Sequence, residues 1–254
     1  MSQTASPSVW EPPAPLQLAR WPLPHRGALE RVVVRALALL ARRQVLTVHG
    51  LEHVQAARDP FILALNHSTM IESLIVPALL VLSRDGRLIH FLADWNYRLI
   101  PGVGLLYERG GTITVTRKPA RPRILNALKP LYLHPLSALD RARLHLATGH
   151  SVGIFPEGKI NRDPSRLLPA HHGAALLSLE SRIPVVPAGI SFPDSAPGRP
   201  IRDSALMQVR IGAPLLAPPC GARASRASLH AWHATIMGAI GELCGKAYQP
   251  GEAR

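Results

Sequence analysis

The chain has 254 residues, 47% of them apolar and 18% charged, with a formal net charge of +13 at pH 7 and two cysteines, Cys220 and Cys244. That length supports one sizeable α/β domain with a buried core, and the composition excludes a disordered chain. Two cysteines without a CxxC argue against a disulfide scaffold or a thiolate zinc site, and the basic balance calls for an anionic partner: nucleic acid, anionic lipid or a phosphorylated small molecule.

Residues 1–25 carry Pro7, Pro12, Pro13, Pro15, Pro22 and Pro24 and read as a proline-rich flexible leader. The opening MSQTASPSVWEPPAP lacks the basic start and apolar stretch of a secretory signal. Residues 27–43 read as an amphipathic helix with Arg31, Arg35 and Arg42 on one face, at spacings of four and seven. Two readings stand there: an interfacial helix with its arginines toward lipid phosphate, or a core-packing helix with a solvated arginine edge.

Seven short runs rich in β-branched residues then predict strands, at about 45–49, 61–65, 88–92, 112–116, 151–155, 184–190 and 206–211. Helical patterns fall between them at about 69–82, 138–148, 172–182 and 228–246. Ser137 and Asp140 mark the start of the helix at 138, and Gly149 its end. Strands alternating with helices predict an α/β fold: a single domain over 26–248, built on a mostly parallel seven-stranded sheet flanked by helices. Residues 32–40 are interrupted by Arg35, and 69–82 by Glu72 and Pro77, so neither gives the roughly 20 apolar residues of a membrane span. The close histidine pairs, His171-His172 and His230-x-x-His233, have no matching cysteine or carboxylate cluster, and no metal is expected.

The segment Asn66-His67-Ser68-Thr69-Met70-Ile71-Glu72 follows the apolar run 61–65. The carboxyl end of a strand is where α/β sheets gather their active-site groups, so His67 is well placed as a base. With His67 in the turn and Glu72 in the first helical turn, the carboxylate can hold one ring N–H and stabilise the imidazolium. Thr69-x-x-Glu72 is also a capping box, which would give Glu72 a purely structural task. A second strand, 151–155, leads into Pro156-Glu157-Gly158-Lys159-Ile160-Asn161-Arg162-Asp163. There Gly158 permits close backbone approach, and Lys159 and Arg162 can pair with phosphate.

Together these segments resemble the phospholipid/glycerol acyltransferase family, which includes the lysophosphatidic acid acyltransferases and tafazzin. Asn66, His67 and Glu72 match its first block, with glutamate in place of the usual aspartate. Arg117, after Pro101-Gly102-Val103-Gly104 and the strand 112–116, matches the arginine of the second block. Phe155-Pro156-Glu157-Gly158 matches the third block intact, and Ile183-Pro184-Val185-Val186-Pro187-Ala188-Gly189-Ile190 the fourth. The continuation Lys159-Ile160-Asn161 is closer to the tafazzin type. Asp94 stands where many lysophosphatidic acid enzymes have lysine, which opposes a simple glycerol-phosphate acceptor.

The resemblance implies direct transfer of a fatty acyl chain from acyl-CoA or acyl carrier protein to a lysophospholipid or glycerolipid hydroxyl, with no cofactor. His67 would be the general base and Glu72 its support. Asn66, Arg117, Glu157, Gly158, Lys159 and Arg162 would bind substrate: Glu157 on the acceptor's hydroxyls, the cations on its phosphate, and backbone N–H groups near Gly158 on the oxyanion. The implied partners are a membrane lipid surface and the acyl thioester donor, with no nucleic acid, at the cytoplasmic face of a membrane as a peripheral or monotopic protein. The alternatives are a tafazzin-like transacylase using a phospholipid donor and a non-catalytic basic membrane-binding module.

Overall fold

A computed structural model describes residues 9–11, 13–100, 103–120, 122–219 and 225–250. Its strands are β1 (Val9–Trp10), β2 (Val45–His49), β3 (Ile62–Leu65), β4 (His90–Asp94), β5 (Ile113–Val115), β6 (Val152–Ile154), β7 (Val185–Ser191) and β8 (Met207–Ile211). They form one sheet in the order β1-β2-β8-β7-β3-β6-β4-β5. Pairing is parallel except for β1 on β2 and β7 on β8. The fold is the expected α/β type with helices on both faces. The sheet has eight strands rather than seven, because Val9–Trp10 adds a short antiparallel edge that the surrounding prolines conceal in the sequence.

The helices are α1 (Pro15–Arg20), α2 (Ala28–Ala41), α3 (Glu72–Ser83), α4 (Val103–Arg109), α5 (Ala138–Ala147), α6 (Gly173–Ser181) and α7 (Arg226–Cys244). Local chemistry sets their ends. Ser137 Oγ accepts from Asp140 N at 3.1 Å at the start of α5, and Ser225 Oγ accepts from Ser228 N at 3.0 Å at the start of α7. Gly245, at φ +73°, closes α7 in the left-handed conformation.

Strand alternation divides the core. Leu63 and Leu65 of β3 pack with Ile75, Leu79 and Phe91 on the face covered by α2 and α3. Ile62 and Ala64 pack with Val152, Leu177 and Ile236 on the face covered by α5, α6 and α7. All four β3 side chains are buried, as a central parallel strand requires. The amino ends of β3 and β6 are fastened by Arg84, whose guanidinium donates to both Asp59 carboxylate oxygens at 2.7 and 2.8 Å, while Ser151 Oγ donates to the same carboxylate.

The described part of the N-terminal leader corrects the expectation of a flexible chain. Leu18 and Leu23 are buried, and Trp21 Nε1 donates to Leu82 O at 3.0 Å. The arginine face of α2 serves the same packing: Arg35 donates to Trp21 O at 3.0 Å, and Arg42 donates to Pro13 O. Two of the three arginines expected to face lipid therefore hold the N-terminal segment. The outward side of α2 presents Leu29, Val32 and Leu39 instead. Among the described residues no helix is long and apolar enough to cross a membrane.

Candidate active site

Strand β3 ends in the turn Asn66–Ile71, and α3 begins at Glu72. The turn is held from three directions. Asn66 Nδ2 donates to Ile190 O at 3.0 Å, and Asn66 Oδ1 accepts from Ile190 N at 2.7 Å. The carboxamide thus continues the β3–β7 ladder beyond its last backbone pair. Glu157 Oε2 accepts from His67 N at 3.0 Å, and His67 O accepts from Asn161 N at 2.7 Å. Lys246 Nζ donates to Ser68 Oγ at 2.8 Å.

Held in this way, His67 places Nδ1 2.9 Å from Glu72 Oε1. An ionised carboxylate can only accept, so Nδ1 is the donor in this pair; in the neutral ring the lone pair then lies on Nε2, and His67 lines the pocket. Glu72 is fully buried, and it also accepts from Ser68 N and, at 3.3 Å, from Thr69 Oγ1. The capping contact is present too, as Glu72 N to Thr69 Oγ1 at 3.4 Å, but it is the longest of the set. The carboxylate is spent on the imidazole and the turn. The Phe155 ring lies against His67 at a centroid distance of 4.6 Å, giving the imidazole an apolar flank.

The third-block loop is built inward. Glu157 is buried, with Oε1 accepting from Asn161 Nδ2 at 2.7 Å and from Leu168 N at 2.9 Å. Gly158 sits at φ +63°, a left-handed conformation that favours glycine, and a Cβ there would lie 2.8 Å from the His171 ring, which would have to move. Its N–H is taken by Phe155 O at 3.0 Å, and its carbonyl accepts from Lys118 Nζ. An oxyanion donor at Gly158 N is therefore not what this turn presents.

A pocket of about 730 Å³ opens beside His67. It is mostly apolar, walled by Val33 and Leu37 of α2, Leu74 and Ala78 of α3, and Leu92 of β4, with Tyr107 from α4. Burial pushes the Tyr107 hydroxyl up to about 12, so it stays protonated. Basic groups gather elsewhere on the wall: Arg117, Lys118 and Lys159 all line the pocket. Arg117 and Lys159 are exposed and form no ion pair among the described residues.

The structure brings His67, Glu72, Arg117, Gly158 and Lys159 to one site and gives three predicted residues a different task. Asn66 has its amide engaged by β7, and Glu157 has both oxygens engaged by the turn and its own loop. Arg162 points away from the pocket: it donates to Asp203 Oδ1 and Oδ2 at 2.9 and 2.8 Å and to Ile201 O at 2.7 Å. Asn66 and Glu157 hold the turn that carries His67, while Arg162 is tied to Asp203 and Ile201, away from the pocket. Asp94, whose charge the sequence reading sets against phosphate, lines the pocket but accepts from Asn96 N and Nδ2 at 3.0 and 2.7 Å, capping a short 3-10 turn. Arg121, Pro101, Gly102 and Cys220 lie outside the described residues; Cys244 is buried, and burial pushes its thiol up to about 11.

Lys246 is the residue that sequence reasoning missed. It is 4% exposed, just past the end of α7, and 178 positions from the serine it holds. Burial pulls its ammonium below the ordinary lysine value, against the opposing pull of Glu157 and Glu72. A lone lysine after a glycine cap carries no signal of such a place. Among the described residues no group of histidine, cysteine and carboxylate side chains could hold a metal ion.

These features define an α/β protein with a histidine–carboxylate pair at the carboxyl end of a central parallel strand, opening on a largely apolar pocket. The sequence model of the Acyltransferase family matches residues 45–191, more than half of the chain, and the protein belongs to that family. Its fold is similar to the crystal structure of the 1-acyl-sn-glycerophosphate (LPA) acyltransferase PlsC from Thermotoga maritima, with a TM-score of 0.52 and 19% sequence identity, over 86% of this chain and 83% of that one. Among curated proteins none matches.

Proposed function

We propose that this acyltransferase moves a fatty acyl chain from a thioester, acyl-CoA or acyl carrier protein, to a hydroxyl of a lysophospholipid or other glycerolipid at a membrane surface. The observation that carries the reading is the 2.9 Å contact of His67 Nδ1 with buried Glu72, which leaves Nε2 to a mostly apolar pocket. His67 Nε2 takes the acceptor's hydroxyl proton as the oxygen attacks the thioester carbonyl. The C–O bond forms, the C–S bond breaks, and the imidazolium returns its proton to the departing thiolate. Glu72 stabilises the imidazolium between these events. The apolar wall suits an acyl chain, while Arg117 and Lys159 suit an acceptor's phosphate. The membership of the family supports acyl transfer as the reaction, and the family's chemistry implies lipid and acyl-donor substrates.

A second donor is favoured by one feature: Lys159-Ile160-Asn161 is the tafazzin-like continuation, which suits a phospholipid donor. A screen of lysophospholipid and glycerolipid acceptors with radiolabelled acyl-CoA tests both readings. Acceptor-dependent release of the carrier thiol, with label in the product lipid, supports the thioester reading. Transfer between phospholipids without thiol release replaces it with the transacylase.

A further inference from the structure

From the end of α4 to the first turn of α5, positions 109 to 139, the chain carries no Asp or Glu, but it has six cations: Arg109, Arg117, Lys118, Arg121, Arg123 and Lys129. Within this stretch a 3-10 helix runs over Arg123–Tyr132, and none of its residues is buried. Its two sides differ. Leu125, Lys129 and Tyr132 are half-buried, while Ile124, Leu128 and Leu131, at the same spacing, are exposed. Ile124 and Leu131 keep 80% and 76% of their surface in solvent, and Leu133, which follows, keeps 60%. Such a run of uncovered aliphatic side chains is unusual for a surface that faces only water. The same segment is also a wall of the active-site pocket, which Tyr132, His134 and Leu136 line.

We propose that residues 123–136 form a lip that sinks Ile124, Leu128, Leu131 and Leu133 into an anionic phospholipid surface, so that a lipid acceptor passes from the bilayer directly into the pocket. The inference rests on the reading of the acceptor as a membrane lipid. Charge complementarity selects an anionic surface, because the cations flank the aliphatic row with no acidic residue within the stretch; of the described ones only Arg109 is ion-paired, to Glu30 at 3.8 Å. Chemistry selects a lipid over an acidic carrier protein. The outward row has no aromatic anchor, and protein interfaces concentrate their binding energy on Trp, Tyr and Arg, whereas aliphatic side chains with a basic fringe are the composition of an interfacial segment.

The test uses the full chain, with sedimentation on phosphatidylcholine vesicles with and without phosphatidylglycerol. The variant Ile124→Ser/Leu131→Ser/Leu133→Ser touches no pocket-lining residue and removes surface side chains alone. It is expected to bind phosphatidylglycerol-containing vesicles roughly tenfold more weakly at unchanged Tm. Its thiol release should fall with a vesicle-borne acceptor and hold with a short-chain acceptor in free solution. Leu131→Trp should show blue-shifted emission on those vesicles and quenching by brominated acyl chains. Binding by the triple variant within about twofold of the parent, or an unshifted Leu131→Trp on bound protein, overturns the lip. Equal loss on soluble and vesicle-borne acceptors with normal vesicle binding also overturns it, and makes the segment a pocket wall or a carrier-docking surface. If the parent chain transfers no acyl group at all while the triple variant loses vesicle binding, the reading of the activity fails and the lip stands.

Discussion

The turn that carries His67 and the pocket rim differ in how their polar groups are used. Around the turn, Asn66, Glu72, Glu157 and Lys246 are all buried, and each is tied to a named partner. At the rim, Arg117 and Lys159 are exposed and without ion pairs among the described residues, and the neighbouring aliphatic side chains stand in solvent. Buried polar networks are costly unless satisfied, and once satisfied they fix one geometry. Proton transfer needs that single geometry. Recognition of a lipid headgroup at a fluid surface does not, and exposed cations on flexible stems suit it. Substitutions in the turn should therefore act on kcat, and substitutions at the rim on KM.

Glu72→Gln should give the largest effect of the changes that separate the two regions. Glutamine retains hydrogen-bonding capacity but cannot stabilise the imidazolium by charge, so kcat should fall roughly 10²-fold. Thermal melting should move little. A drop of several degrees with kcat per folded molecule unchanged would return Glu72 to a capping role.

At the rim, Arg117→Ala should raise KM for a phosphorylated acceptor about tenfold, the scale of one charge-assisted hydrogen-bonded contact, with kcat nearly constant. Arg117→Lys should raise it less, because ammonium keeps the charge and loses the paired geometry. If both variants keep the parental KM, or if a neutral acceptor serves as well as a phosphorylated one, the phosphate role is lost.

Lys246→Met should produce the smallest loss, several-fold in kcat, together with a signature that plain loosening of the turn would lack. Removing a cation from the neighbourhood of Glu72 and Glu157 makes protonation of the base easier. The base works only when neutral, so the acid limb of kcat/KM should move to higher pH. A lower kcat with the limb unmoved would leave Lys246 a packing residue only.

Much of this was legible in the sequence, and the exceptions have physical causes. Seven strands stand out because β-branched runs bounded by turn residues have few other conformations open to them. Val9–Trp10 and α1 do not, since prolines hide a two-residue strand and a six-residue helix. His67 and Glu72 are close in sequence, so one turn brings them together and motif spacing suffices. Asn66, Glu157 and Arg162 have residue types that suit substrate binding equally well, and only the fold shows their side chains turned to Ile190, the His67 backbone and Asp203. Lys246 depends on the return of the chain through α7, which local pattern does not reveal.

The central claim is that His67 is the base. It is tested most directly by acceptor-dependent thiol release from acyl-CoA, comparing His67→Ala with the parent chain at matched folded concentration by circular dichroism. The account predicts a loss of roughly 10²–10⁴-fold with the melting curve preserved. Half the parental rate in a folded variant would contradict it.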